Sequence, residues 1–534
     1  MMKRVGLTAK TYLPNTTTKK RPLPKLFDSS APALLASAIT TTLFLTFTAS
    51  FVHNVTLEQA TRSLQVLKIL AQPAAHFLYL KKTTTGPLSD FHQRHSEVPI
   101  KLCLSLRGFY VKIGQIMSGQ PELCPAEYRT HLISLQENVP PVSSTIIRNI
   151  IESELETKIE NVFVRFDDES IGSASIGQVH RAQLLTGEEV VVKVQFPEVE
   201  RFFALDFKTI GLILNFVNPE MKDLVAEQEE CFKQEFDYKR EASFLEAMNE
   251  EVAPHFSYVS FPIPVKKLCT KRCLVMSHLD GKSVSKIGAE ILKLGADRKG
   301  VSVEAFKRDM RQKMMQDGSS QKLLKGSWGL SSWKVKLVNW WTGAELPDGG
   351  SVMKMLYEVH GYQIFECGKF NADPHAGNVL VDKVNNVGLV DYGQLIEIDE
   401  NTRVSFARLI VGLNEENKEL VLQAWNELGQ EFLWKSTNTH NPIDVVFAVV
   451  AMHFGGTAGL IKGAKMFGFR SMADAVGPKM AEQIEITKTT QKYAMLQRCS
   501  FCLYGVGHSV GFGGVSAGSM WYEQAKAFLK KKEN

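Results

Sequence analysis

The stretch KFNADPHAGNVLV (369–381) sets an acid, Asp373, and an amide, Asn378, five residues apart in a loop that runs into an apolar segment. A carboxylate and an amide carbonyl at that spacing can face one small volume, where a hydroxyl could lose its proton and a hard cation could be held by oxygen. A second apolar segment follows and ends in another acid, Asp391 of VGLVDYGQ (387–394). The set offers one proton acceptor and two oxygen ligands for a divalent cation, which is equipment for phosphoryl transfer.

Upstream, Lys193 sits in the alternation VVVKV, and a Lys turned inward from a strand is costly to bury unless anions meet it. Nucleotide phosphates and a helix Glu are such anions. The turn IGSASIGQ (171–178) lies where a glycine-rich loop would bring backbone amides onto phosphates, with Ala174 and Ser175 in place of glycines. Taken singly, a strand Lys is usually a surface residue and GSAS an ordinary turn. The order carries the signal: small-residue turn, strand Lys, helix Glu, connecting strand, Asp with Asn, then Asp before an aromatic and Gly, as in protein kinases. A P-loop is excluded because DGKS (280–283) has Met276 where its first Gly belongs. No HExxH motif is present, and Cys499 and Cys502 form a lone CxxC, open to a redox pair or half a zinc site, that reads most simply as two thiols on one helix face.

The elements that must position these residues predict an α+β, bilobal, protein-kinase-like fold. Residues 1–30 read as a transit segment, basic and rich in Thr, and 31–53 as a membrane-spanning helix, uncharged over the ~20 residues a bilayer core requires. Residues 54–159 form an N-terminal helical extension, with an amphipathic helix from Leu57 to Leu80 and a linker around 84–98. Residues 160–284 are the β-rich N-lobe, one antiparallel sheet with inserted helices and two strands within 259–279. Residues 285–350 are an insert whose Trp333, Leu337, Trp340 and Trp341 share one helical face, suited to packing or to a membrane interface. The mostly helical C-lobe covers 351–480, followed by a C-terminal tail 481–534 whose glycine-rich 504–518 reads as a flexible tail or as a close helix-packing segment.

The net charge of +5 over 534 residues is scattered, which argues against nucleic acid as a partner. The eight cysteines show no repeating framework and fit a reducing compartment.

These residues resemble the UbiB-like atypical kinase family, protein-kinase-like proteins tied to coenzyme Q and lipid metabolism. KIGQ (112–115) looks like the family's KxGQ helix, SASIGQVHRA like its alanine-rich loop and EFDYKREA (235–242) like its ExD segment; NADPHAGN and DYGQ complete the match over about 100–400. The resemblance implies ATP or ADP with Mg2+ as cofactors. Lys193 would contact phosphates and pair with Glu241, Ala174 and Ser175 would line the nucleotide, Asp373 would stand at the catalytic base, and Asn378 and Asp391 would hold magnesium. Lys112 and Gln115 would project across the site from a covering helix, Lys112 toward Glu235 of the segment that also holds Asp237. Such a cover leaves no room for a protein substrate. Three departures stand out: Asn371 where the family has His, expected to loosen the loop; GSAS rather than a run of alanines; and Tyr392 for Phe.

The leading expectation is an ATPase or a small-molecule or lipid phosphotransferase acting at a membrane. Its partners would be membrane lipids, quinone-like molecules or the enzymes that make them, in the mitochondrial inner membrane, with a plastid as the alternative. The rival is a nucleotide-gated scaffold without turnover. An aminoglycoside- or choline-kinase relative shares the Asp and Asn spacing and offers no reason for KIGQ. The blandest reading is that the Lys–Glu and Asp–Asn pairs simply hold a pseudokinase lobe together.

Overall fold

The computed structural model describes residues 57–83, 89–118, 124–136, 139–207, 232–303, 347–434, 441–456, 484–510 and 515–533, with a few isolated positions. The expected transit segment, membrane helix and Trp-bearing helix face lie outside these residues. Among the described residues no helix is long and apolar enough to cross a membrane.

The extension is helical, as its spacing predicts. Helix α1 (Leu57–Thr83) turns Val66, Leu67 and Leu70 onto Leu102 and Leu106, and sets Phe77 against Phe91. Within the linker expected around 84–98 the described residues, 89–98, are mostly helix, α2 (Ser89–Arg94) and the start of α3 (Val98–Leu106), where Pro99 falls in a first turn that needs no N–H from it. Left-handed Arg107 and Gly108 then break the path before α4 (Gly108–Ser118), which carries the KIGQ residues. Helices α5 (Ala126–Leu132) and α6 (Ser144–Leu155) complete the extension.

The N-lobe sheet is antiparallel in the order β1 (Phe163–Ser173), β2 (Gly177–Leu184), β3 (Glu189–Gln195), β5 (Cys273–Ser277). Parity along β3 decides the site, since alternate side chains of a strand face opposite ways. Val190, Val192 and Val194 pack with Ile147, Ile150 and Ile151 of α6, whereas Val191 joins the main core on the other face. Lys193 shares that second face. Helix α7 (Tyr238–Glu251) begins at an Asp237 cap, whose carboxylate accepts from Lys239 N at 3.1 Å, and presents Glu241 in its first turn.

Two expectations are corrected between the lobes. Strand β4 (Val259–Ser260) does not extend the N-lobe sheet; it pairs in parallel with β9 (Val387–Leu389) in a second sheet ordered β4-β9-β8-β6, with β8 at Val379–Val381 and β6 at Lys282–Ser283. Residues 285–299, assigned to the insert, belong to helix α8 (Val284–Lys299), capped by Ser283 and by left-handed Gly300, with Val284 and Ile287 in the main core.

In the C-lobe, α9 (Gly349–Tyr362) widens into a π-turn (Gln363–Cys367) that ends at left-handed Gly368 and enters β7 (Lys369–Asn371), which pairs with β10 (Leu395–Glu397). Helices α10 (Glu400–Asn414), α11 (Lys418–Glu427) and α12 (Pro442–Phe454) follow, with β11 (Glu431–Trp434) paired to β12 (Ile484–Lys488). The stretch 481–534 is not a tail. Helices α13 (Gln491–Ser509) and α14 (Ala517–Glu533) bury Tyr493, Leu496, Leu503, Trp521 and Phe528, and the Trp521 indole donates to Tyr357 O at 3.0 Å. Glycine here serves close packing: a Cβ on Gly518 would stand 3.0 Å from Phe454 O.

Candidate active site

Strand parity on β3 and the first turn of α7 bring Lys193 and Glu241 together. The ammonium lies 2.8 and 2.9 Å from the two carboxylate oxygens, and 3.3 Å from Asp391 Oδ2 beyond β9. Burial alone would lower the Lys193 pKa, but Asp391 and Glu241 more than offset it, so the amine stays protonated. The cluster holds two carboxylates to one ammonium. Burial, aided by the Asp391 charge, therefore pushes Glu241 up to about 7 against the pull of Lys193, while Asp391, opposed by burial, is held low chiefly by Lys193.

Asp391 also accepts from Gly393 N at 3.0 Å. Asn378 sits in a turn closed by its N–H on His375 O at 2.9 Å, and its own carbonyl receives Val390 N at 3.2 Å, which ties it to the residue before Asp391. An amide and a carboxylate beside an excess of negative charge fit Mg2+, a hard cation that prefers oxygen and keeps several waters or phosphate oxygens for itself. Asn378 and Asp391 would hold it, and when bound it would neutralise charge on the phosphates.

Asp373 is in a different position. Arg498 of α13 pairs with its Oδ2 at 2.7 Å and the Cys502 thiol donates to its Oδ1 at 3.5 Å. Against burial, Arg498, then His375 and Lys112, hold the carboxyl well below its usual range. Sequence reasoning missed Arg498. Its one signal was an Arg four residues before Cys502, one turn of helix away from the CxxC. The CxxC places Cys499 in the core and Cys502 on Asp373; both are free thiols whose pKa burial raises.

Asn371 does not loosen the loop. Its Nδ2 donates to Asp391 O at 2.7 Å and its Oδ1 accepts from Asp373 N at 2.8 Å, so one side chain spaces the two acids. Gln363, in the π-turn, donates to the Tyr392 hydroxyl at 2.8 Å, which gives the Tyr at this position a hydrogen bond that Phe lacks.

The KIGQ helix reaches the cleft through Lys112, whose ammonium lies 3.0 Å from Glu235. Gln394, three residues after Asp391, donates to the same carboxylate at 2.8 Å. Gln115 is anchored within the extension, donating to Leu135 O at 2.9 Å, and Asp237 stays exposed as the α7 cap. Ala174 is exposed and Ser175 buried in a turn closed by Ala174 N on Gly177 O at 2.8 Å.

Comparison with known proteins gives the same frame. The ABC1 atypical kinase-like domain model matches residues 134–322 and 330–425. The Arabidopsis thaliana protein "Activity of bc1 complex kinase 8, chloroplastic" is 32 % identical over 343 residues, covering 61 % of this chain and 37 % of that protein. "AarF domain-containing protein kinase 1" of Xenopus tropicalis is 28 % identical over 331 residues, covering 60 % and 53 %. The match thus spans about a third to a half of these relatives' length. A solved structure of the Rv3197–erythromycin complex from Mycobacterium tuberculosis aligns over 83 % of this chain and 98 % of that one, with a TM-score of 0.47 and 18 % identity. With its bilobal kinase-like fold and the family model matched over more than half its length, the chain belongs to the ABC1 atypical kinase-like (UbiB) family.

Proposed function

We propose that this protein binds ATP or ADP with Mg2+ and acts as an ATPase or as a phosphotransferase toward a small molecule or lipid. The observation that carries the reading is Lys193, held between Glu241 and Asp391 from opposite lobes at 2.8 and 3.3 Å. That arrangement aims a cation at phosphates and leaves a carboxylate for the metal. The covering α4, joined to both lobes through Glu235, speaks against a protein as acceptor. Membrane lipids or quinone-like molecules, and a role in coenzyme Q or lipid metabolism, follow from the family resemblance. An organelle membrane is the setting we favour; the basic leader suits the mitochondrial inner membrane, and the chloroplastic names of relatives support the plastid alternative.

The test is magnesium-dependent ATP hydrolysis by the full chain, with and without liposomes, beside Asp373→Asn. Turnover that rises with membrane and vanishes in the variant is the expected result. One observation favours the rival scaffold: both oxygens of Asp373 are engaged, so no free base faces an acceptor. Nucleotide binding without hydrolysis in either condition would decide for it.

A further inference from the structure

Two buried hydroxyls without a hydrogen-bond partner stand at the base of the 174–176 turn. Tyr238, the first residue of α7, is 1 % exposed, yet its hydroxyl has no partner, and neither has Ser173 Oγ at the end of β1. A buried hydroxyl left unpaired is a standing cost to the fold, so each such case asks for a reason. The phenol belongs to the cleft: Lys193 Nζ lies 5.1 Å from its ring centroid. Burial raises its pKa, and Glu241, Asp391 and Glu235 add to this against Lys193, so it remains a donor. Residue 177 makes room for it. A Cβ on Gly177 would stand 2.8 Å from the Tyr238 hydroxyl and 2.4 Å from Val194 O.

We propose that the Tyr238 hydroxyl donates a hydrogen bond to a phosphate oxygen of the nucleotide; Ser173, in register with Gln178 and through it with Val194, lies on the α6 face of the sheet and takes no part. The proposal rests on the nucleotide reading above and names a residue that the strand Lys and the small-residue turn leave out. An anionic oxygen entering beside Lys193 would satisfy the Tyr238 hydroxyl, which the protein alone does not. The phosphates would then be gripped from the α7 side as well as by the turn.

The experiment titrates the full chain with Mg-ADP and records its unfolding temperature without ligand. Tyr238→Phe keeps the ring under Lys193 and removes only the O–H. A hydrogen bond to a charged group predicts a loss of affinity of about tenfold or more, with the ligand-free unfolding temperature unchanged or raised. Wild-type affinity in Tyr238→Phe overturns the proposal, and a lowered ligand-free unfolding temperature alongside it would mean an ordered water satisfies the phenol. If the wild-type chain itself shows no magnesium-dependent affinity for ADP, the nucleotide reading falls and takes this inference with it; Asp391→Asn marks that baseline.

Discussion

The two sides of the cleft are built on opposite charge plans. On the Lys193 side one ammonium faces two carboxylates, Glu241 and Asp391. On the Asp373 side each acid has its own cation, Arg498 for Asp373 and Lys112 for Glu235. The first side carries a surplus of negative charge that an incoming cation relieves; the second is complete without any ligand. Acids placed by one hairpin thus end with different prospects, because the helices packed behind them differ.

The largest blow to this contrast is Lys193→Met. It strands Glu241 beside Asp391, so thermal unfolding should show a loss of about 3–5 kcal/mol, with nucleotide binding gone. An unchanged melt would mean the surplus charge is not there. Asp391→Asn removes one charge of the surplus and a metal oxygen. Magnesium-dependent nucleotide binding should fall about 100-fold, by ~2.7 kcal/mol, while stability barely moves. Equal binding by titration would end the metal assignment.

Arg498→Gln attacks the other side. It leaves Asp373 short of its cation at about 1–3 kcal/mol, less than a fully buried pair because both partners keep some exposure, and it should raise ATP hydrolysis several-fold by freeing the base. The pH dependence has a definite sign. The folded-state pKa of Asp373 lies below its unfolded value, so its contribution is present above about pH 4 and is lost as pH falls through the lower folded value. The unfolding temperatures of Asp373→Asn and wild type should differ at pH 7 and converge in acid. Smallest is Cys502→Ala, which removes one weak thiol donor and should cost under about 1 kcal/mol by the same melt.

The Lys193 side was legible in the sequence: strand alternation turned Lys193 inward, and the family resemblance supplied Glu241 as its partner. Arg498 and Cys502 were not, since their role depends on α13 docking against a loop 129 residues earlier in the chain for Cys502. The glycines of 504–518 left a flexible tail and close helix packing both open, and at Gly518 the missing side chain allows backbone contact. Asn371 was read as a weakened His, whereas two hydrogen bonds make it the spacer between Asp373 and Asp391. The second sheet escaped because β4 is two residues long, too short for any alternation to show.

The distance in sequence between Asp373 and its partner Cys502 also has a meaning in time. At synthesis rates of about 5–20 residues per second, Asp373 leaves the ribosome roughly ten seconds before the helix that carries Arg498 and Cys502. During that interval the acid has neither partner. A chain cut short there would present a bare Asp373, so premature termination would yield a protein that is uncapped at this acid rather than merely inactive.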